Sequence, residues 1–129
     1  MRGRAERQRR LRRGRSGELI AAWWLRLQGF RILARRLSTP VGEIDILARR
    51  GRVLAVVEVK RRADVAGALA ALAPAQRRRL ERAAAWVVQH RPELAELELR
   101  FDVIAVGGLA RPLHLADAWR PEGGGTMPP

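Results

Sequence analysis

The segment 53–57 reads Val-Leu-Ala-Val-Val and is apolar at every position. Because successive side chains of a strand point to opposite faces of its sheet, this run predicts a strand that is covered on both faces. Such a strand lies inside a sheet and not at its edge. The run continues into Glu58-Val59-Lys60, so that a carboxylate and an ammonium group follow a buried strand. The fold is therefore constrained to a sheet with helices on both sides, and charged groups are expected where its central strand ends.

The segments around this strand predict the rest of an α/β domain, in the order α-β-β-β-α-β-β. Helices are expected at about 17–28 and 74–90, and strands at 30–36, 43–48, 53–60, 97–106 and, as a short fifth, 112–115. Ser16 is a suitable N-cap for the first helix, and Gly29 is expected to end it. The predicted fold class is thus a central mixed β-sheet flanked by helices.

Each predicted helix has an apolar stripe that is expected to face the core. The stripe of the second helix consists of Leu80, Ala83, Ala84, Val87 and Val88. The stripe of the first helix consists of Leu19, Ile20, Trp23, Trp24 and Leu27. Because its tryptophans lie on that stripe, they are expected in the core and not as platforms for stacked bases. Glu18, in the first turn, suits the helix dipole.

A chain of 129 residues fits one domain. Residues 1–15 are predicted to be a disordered basic arm, 16–119 the folded domain, and 120–129 a Gly/Pro-rich disordered tail. We predict no membrane span, because no apolar run approaches the ~18 residues that one needs. With no cysteine, disulfides and thiolate zinc sites are excluded, and a reducing cytoplasmic location is expected.

The formal net charge is +13 and the isoelectric point is about 11.9. A small domain this basic favours a polyanionic partner, and nucleic acid is the usual one. An anionic membrane surface is the competing partner. A solvated basic face that reflects an arginine-rich composition is the third option, since only Lys60 among the 26 basic residues is a lysine.

The turn between the second and third strands decides which charged side chains share a face. If Arg50-Gly51 is a two-residue loop, Arg49 pairs with Arg52 and Glu43 lies opposite Glu58. A three-residue loop would instead send the two strands' acidic residues to opposite faces.

With the two-residue loop, one face of the sheet collects Glu43, Asp45, Glu58 and Lys60. Three crowded carboxylates repel one another by roughly 0.2–1 kcal/mol a pair, and one lysine cannot neutralise them. A hard divalent cation can, because carboxylate oxygens suit Mg²⁺ or Mn²⁺. Lys60 would then position water or stabilise developing negative charge. The competing interpretation is a simple Glu58–Lys60 ion pair at a strand end.

Four stretches resemble a known family: GRSGELIAAWWL (14–25), GEIDILARRG (42–51), VVEVKRR (56–62) and RFDVIAV (100–106). Together they are similar to the YraN-like family of small bacterial proteins over about residues 14–119. That resemblance implies the restriction-endonuclease-like fold of the PD-(D/E)XK nucleases and a similarity to archaeal Holliday junction resolvases.

The resemblance also implies roles for individual residues. Asp45 resembles the metal-binding aspartate, Glu58 the second metal ligand, and Lys60 the catalytic lysine. Glu18 resembles the first-helix glutamate that joins the metal site in resolvase-like members. Glu43 belongs to the family's own Gly-Glu-Ile-Asp stretch without an assigned role.

Two positions qualify the resemblance. Ile44 stands where the superfamily motif has proline, as is usual in this family. Gln76 lies where relatives often have lysine or glutamine, and is a candidate accessory residue. The segment before residue 15 lies outside the resemblance.

The leading functional hypothesis is therefore a Mg²⁺- or Mn²⁺-dependent endonuclease acting on DNA, including branched or junction DNA. A non-catalytic nucleic-acid-binding module on the same fold is the alternative, and an RNA- or ribosome-associated protein is a third. Resolvase-like proteins act as dimers, so a homodimer is one expected assembly. The arginines expected to contact nucleic acid, with solvated charge as the alternative, are Arg36, Arg61, Arg62, Arg77 and Arg78.

Three further polar residues are predicted to be structural. Asp102 lies within the fourth strand, where a satisfied structural carboxylate is expected. His90 ends the second helix, and His114 lies in the short fifth strand. Neither histidine has a partner at metal-ligand spacing.

Overall fold

A five-stranded mixed sheet forms the centre of the computed structural model, which describes residues 17–107 and 111–121. The strands are β1 (Arg31–Thr39), β2 (Gly42–Arg50), β3 (Val53–Lys60), β4 (Glu98–Ala105) and β5 (Leu113–Trp119). The helices are α1 (17–27), α2 (Val65–Ala70), α3 (Pro74–His90) and a 3₁₀ helix (Pro92–Leu94). The strands lie in the order β1-β2-β3-β4-β5, with β3 and β4 parallel and the other neighbours antiparallel.

This architecture confirms the predicted fold class. The short helix α2, capped by Asp64 through a bond from the Gly67 N–H, and the full length of β5 were not predicted. The whole predicted N-terminal arm (1–15), Ser16, and residues 108–110 and 122–129 lie outside the described residues. No helix in the described part of the chain is long and apolar enough to cross a bilayer.

Strand β3 is covered on both faces, as its apolar run predicted. Leu54 and Val56 pack under α3, whereas Ala55 and Val57 pack under α1. The predicted stripe of α3 is confirmed: four of its residues are buried, and Val88 packs against them partly buried. The two faces of β3 therefore contribute to two separate apolar clusters.

Helix α1 buries a different face from the predicted one. Leu19, Ile20, Trp23 and Leu27 are between 47% and 64% exposed, and Trp24 is half-buried. The buried residues are Ala21, Ala22 and Leu25. The physical reason lies in the sheet beneath the helix. Its side chains there include Ala48 and Ala55, which are small and project only a short distance towards α1. A face of small side chains lets the helix approach this surface closely, whereas the tryptophan-bearing face would hold it away.

The end of α1 follows the prediction. Gly29 has a φ of +88°, which favours glycine, and its N–H donates to the Arg26 carbonyl at 3.0 Å. The Phe30 N–H donates to the Leu25 carbonyl at 3.0 Å, and both side chains are buried in one cluster. These are the bonds of a Schellman motif, which turns the chain from α1 into β1.

The hairpin between β2 and β3 turns one residue later than predicted. Arg50 pairs with Val53, so the loop is Gly51-Arg52 and not Arg50-Gly51. The φ of +60° at Gly51 explains the choice, because glycine is favoured at the first position of such a turn. Moving the loop by one residue shifts the pairing by two, so the change of turn by itself leaves each side chain on its predicted face.

The face that α1 buries can be tested with two matched substitutions in that helix. We expect Leu25→Ala to lower the free energy of unfolding by about 2–5 kcal/mol, because it opens a cavity in the core. Leu27→Ala removes the same atoms from a side chain that is 64% exposed, and should change it by about 0.5 kcal/mol or less. Urea denaturation of both variants measures the difference. Equal losses, or the larger loss at Leu27, would contradict the observed packing.

Candidate functional site

Asp45 lies where the pairing of β2 with both neighbours is interrupted. The β2–β3 ladder ends at Ile46–Val57, and continuing it by one pair places Asp45 opposite Glu58. Instead of a ladder bond, the Val59 N–H donates to Asp45 Oδ2 at 2.9 Å. The aspartate side chain therefore takes a backbone partner between the two strands.

The alternation of β2 also changes at this point. Ile44 packs in the cluster under α3, whereas Ile46 packs in the cluster under α1, although they are two residues apart. On the neighbouring strand, Arg36 has a φ of +51°, and its pairing partner would be Asp45. The alternation of β2 thus changes beside an irregular residue of β1, and residues before Asp45 do not keep the faces that a regular strand would give them.

The carboxyl groups of Asp45 and Glu58 form a hydrogen-bonded pair. Burial, followed by the charge of Asp45, raises the pKa of Glu58 to about 8, although Lys60 opposes the shift. Burial also raises the pKa of Asp45, against the lowering effect of the Val59 N–H bond. Without a bound cation, the pair therefore holds a proton between its two carboxyl groups at neutral pH.

Lys60 and Gln76 complete a small polar network with Glu58. Lys60 Nζ lies 3.6 Å from Glu58 Oε1 and 3.5 Å from Gln76 Oε1. Gln76 Nε2 donates to the same Glu58 oxygen at 3.3 Å. Because Gln76 lies in the first turn of α3, that helix closes the polar face of β3. The structure thus brings the predicted accessory residue beside Glu58 and Lys60.

Glu18 faces the same region from α1. Its Oε2 lies 3.8 Å from Arg36 Nε, while its Oε1 is buried without a hydrogen-bond partner among the described residues. Burial and then the charge of Asp45 raise its pKa, and Arg36 opposes the shift. Glu18 is therefore an electrostatic neighbour of Asp45, and it carries one unsatisfied buried oxygen.

Glu43 does not take its predicted position opposite Glu58. It pairs with Ser38 of β1 and is exposed. The late hairpin turn and the changed alternation at Asp45 explain the error. Its charge nevertheless contributes to the raised pKa values of Glu18 and Asp45, so it lies near the site.

The donor set has the chemistry of a hard-cation site. Glu58 is buried and its partner Asp45 is half-buried, and Glu18 adds an unsatisfied carboxylate oxygen. Within 17–107 and 111–121, no three acidic or histidine side chains form a ready-made metal site. Mg²⁺ is commonly held by one or two carboxylates together with water and substrate phosphates. The pair Asp45–Glu58 fits that pattern, and Glu18 stands apart from it.

The arginines predicted to contact nucleic acid divide into two groups. Arg61 and Arg62 are exposed where β3 ends beside Lys60, and Arg78 is exposed on α3. Arg36 is also exposed, at its contact with Glu18. These four remain accessible to a ligand.

Arg77 has a structural position instead. It is half-buried, and its guanidinium donates to the carbonyls of Leu72 at 3.1 Å and Leu69 at 3.3 Å. It also lies over the Trp119 ring at 5.8 Å from the centroid. These contacts close the turn between α2 and α3, so Arg77 is held by the fold.

Asp102 is a satisfied buried carboxylate, as predicted. It receives hydrogen bonds from Arg100, from His114 Nε2 at 2.8 Å and from the Asp117 N–H at 3.0 Å. Burial alone would raise its pKa, but these bonds together lower it. The other histidine, His90, stacks on the Trp86 ring at 4.0 Å.

Comparison with known proteins identifies relatives over most of the chain. Residues 17–106 match the family described as "Uncharacterised protein family UPF0102". A UPF0102 protein of Parvibaculum lavamentivorans is 56% identical over 110 residues, covering 85% of this chain and 83% of the relative. One from Caulobacter vibrioides is 55% identical over 106 residues (82% and 85%), and one from Paramagnetospirillum magneticum 49% over 113 residues (84% and 88%). These matches confirm the predicted family resemblance.

The raised pKa of Glu58 predicts a pH dependence of stability. Because the folded state binds this proton more tightly than the unfolded chain, the stabilisation is complete below about pH 4.5 and is lost as pH rises through about 8. We expect the metal-free protein to lose on the order of 5 kcal/mol of unfolding free energy across that window. Denaturant unfolding at several pH values measures it.

Glu58→Gln should flatten this dependence, since the amide does not titrate. The matched control is Glu93→Gln, which alters an exposed glutamate in the 3₁₀ helix and should leave the dependence unchanged. A metal-free protein of constant stability from pH 5 to 9 would contradict the buried carboxyl pair.

Proposed function

We propose that this chain, which belongs to the uncharacterised protein family UPF0102, is a Mg²⁺- or Mn²⁺-dependent endonuclease that hydrolyses DNA phosphodiester bonds. The observation that carries the proposal is the pair formed by buried Glu58 and half-buried Asp45, beside Lys60 in a chain of net charge +13. Most buried carboxylates are paired with a cation. Here two carboxyls share one lysine.

The proposed ion is held by Asp45 and Glu58. When bound, it supplies Lewis acidity and lowers the pKa of a coordinated water, the usual contributions of a metal to phosphodiester hydrolysis. The protons that the carboxyl pair retains without it would then be displaced. This exchange links metal binding to the pH behaviour of the pair.

Lys60 is the residue proposed to act on the substrate. Its ammonium group lies at the end of β3, where it can stabilise negative charge developing on a phosphoryl oxygen. Gln76 bridges Lys60 and Glu58 and is a positioning residue, because it fixes both side chains in one arrangement. Arg61 and Arg62 continue the same strand end and would hold flanking phosphates without reading sequence.

One observation favours the alternative, a nucleic-acid-binding module without catalysis. No three carboxylate or histidine side chains in the described segments stand ready to ligate one ion. The basic composition and the exposed arginines would serve binding equally well. The experiments below separate the two functions, and include RNA because charge alone does not select DNA.

Branched or junction DNA is the proposed substrate structure, a homodimer the proposed assembly and the cytoplasm the proposed location. The first two follow from the resemblance to junction resolvases, and the third from the lack of cysteine. The proposed metal-dependent hydrolysis does not depend on any of these three proposals.

Metal binding can be tested without any activity assay. We expect Mn²⁺ at 100 times its dissociation constant to raise the free energy of unfolding by about 2.7 kcal/mol at pH 7. Asp45→Asn should abolish this gain, whereas Glu93→Gln should retain it. Thermal unfolding with Mn²⁺ and with EDTA provides the measurement. No stabilisation at millimolar Mn²⁺ would count against the ion.

Cleavage is tested on supercoiled, linear and four-way-junction DNA with Mg²⁺, Mn²⁺ or EDTA. We expect metal-dependent nicking that falls by roughly 10²–10³-fold in Lys60→Ala and Asp45→Asn, because charge stabilisation or the ion is lost. Glu93→Gln is again the control, since Glu93 lies beyond the opposite end of α3, about 25 Å away along that helix.

Three results speak against the enzyme. Binding that survives both substitutions, with no cleavage under any metal, would establish the non-catalytic module. Tighter retention of RNA than of DNA at matched salt would favour the RNA-associated role. Cleavage that persists equally in Lys60→Ala and Asp45→Asn would point to a contaminating nuclease.

A further inference from the structure

A polar cavity lies at the C-terminal end of α1, away from Asp45 and Glu58. Its volume is about 360 Å³. Chemistry-bearing side chains of its lining are Trp24, Gln28, Arg50, Arg100, Arg111 and His114. Along the helix axis, Trp24 lies about 9 Å and Gln28 about 15 Å from Glu18, so the cavity is separated from the candidate functional site by about 9 Å or more.

Two hydrogen-bond donors at this cavity lack acceptors. Trp24 Nε1 and Gln28 Nε2 are shielded from solvent, and neither has a hydrogen-bond partner among the described residues. Because buried donors are normally paired, two orphans one helical turn apart indicate a ligand that supplies acceptor oxygens. Helix α1 presents both from the same side.

Two arginines supply uncompensated positive charge. Arg111 lies over the Trp24 ring, with its guanidinium carbon 5.8 Å from the ring centroid. Arg50 lies over Phe30 at 4.4 Å and donates from Nη1 to the Gln28 carbonyl at 3.1 Å. In the described part of the chain, neither arginine forms an ion pair with a carboxylate. Both arginines are therefore held at the cavity wall, and each has guanidinium N–H groups that are not used in an ion pair.

The remaining charged groups of the wall neutralise one another. Arg100 donates to both oxygens of Asp102 at 2.8 Å, and His114 Nε2 donates to the same carboxylate. Asp102 is completely buried, so its charge is compensated before it can repel a ligand. The lining thus has a positive net charge that comes from Arg50 and Arg111.

We propose that this cavity binds a phosphate group. Arginine forks and N–H donors converging on one space match an anion with several acceptor oxygens, and arginine is the residue best suited to phosphate. The group has two sources: a free phosphate or mononucleotide, or a phosphodiester of a bound nucleic acid. In the second case the inference rests on the proposed function, and the separation of about 9–15 Å corresponds to about three to four nucleotides of B-form DNA.

The test uses the indole N–H signals of the four tryptophans in a ¹H–¹⁵N spectrum of the full chain. Trp24→Phe assigns the Trp24 signal by its disappearance. Inorganic phosphate, thymidine monophosphate and a short DNA duplex are titrated separately at constant ionic strength. We expect a saturable downfield shift of the Trp24 indole proton, because its orphan N–H gains an acceptor.

Arg111→Ala should weaken the apparent affinity roughly tenfold or more, since it removes a charged hydrogen-bond donor. The matched control is Arg91→Ala, which removes the same charge from an exposed position at the end of α3 and should leave the affinity unchanged. A Trp24 signal that moves equally in Arg111→Ala, or responds to none of the three probes, would overturn the proposal.

The three titrations distinguish the two sources of the phosphate group, and they also separate this proposal from the proposed nuclease activity. A response to phosphate or mononucleotide assigns a site for a free phosphate group, whereas a response to the duplex alone assigns a backbone phosphate. The titrations are repeated with Asp45→Asn, which should retain the Trp24 shift even if the chain cuts no DNA. Loss of the shift in Asp45→Asn would show that it reports the active site, and would also overturn the proposal.

Discussion

The packing of α1 and α3 on the two faces of β3 determines the environment of the charged side chains at the end of that strand. Because α1 and α3 cover its two faces, residues 54–57 of this strand are buried, and the first polar side chain after them is desolvated. That side chain is Glu58, and its neighbour across the gap is Asp45. A buried carboxyl that meets another carboxyl must bind a proton or a cation, because two buried negative charges at contact are too costly. The chemistry of the site thus follows from the packing of the sheet.

Two helices then bring the remaining groups to this point. The N-terminal turn of α3 delivers Gln76 to Glu58 and Lys60, and the first turn described for α1 delivers Glu18 towards Asp45. Both helices must therefore be correctly docked before the polar network exists. The geometry of the site thus depends on the packing of the core.

The limits of prediction from sequence follow the same physics. The apolar run of β3 and the capping residues Pro74 and Gly29 are local signals, and the elements they predict were found within a few residues. The orientation of α1 was wrong because this helix is apolar nearly all round. Which face is buried depends on the height of the sheet beneath it, set by Ala48 and Ala55, and that is a tertiary property.

The candidate site likewise combines features that local sequence patterns predict with features that depend on tertiary structure. Asp45, Glu58 and Lys60 were expected on one face, and the late hairpin turn preserved that parity. The position of Glu43 was wrong, because an irregular residue on the neighbouring strand changes the alternation of β2, and no pattern in β2 itself reports it. The bond from the Val59 N–H to Asp45 and the orphan donors at Trp24 and Gln28 are likewise invisible in sequence, since they depend on which groups the fold leaves without partners.

The bond from Val59 to Asp45 bears on which ion the carboxyl pair can select. One oxygen of Asp45 is engaged by the backbone, and Glu58 Oε1 is engaged by Gln76 and Lys60. Each carboxylate then has a single oxygen to give, so two-oxygen chelation by either group is disfavoured. Calcium, which gathers six to eight oxygens and favours chelating carboxylates, is poorly served by such a pair. Magnesium keeps most of its hydration shell and needs few protein oxygens, so in the proposed metal site this geometry would favour magnesium over calcium.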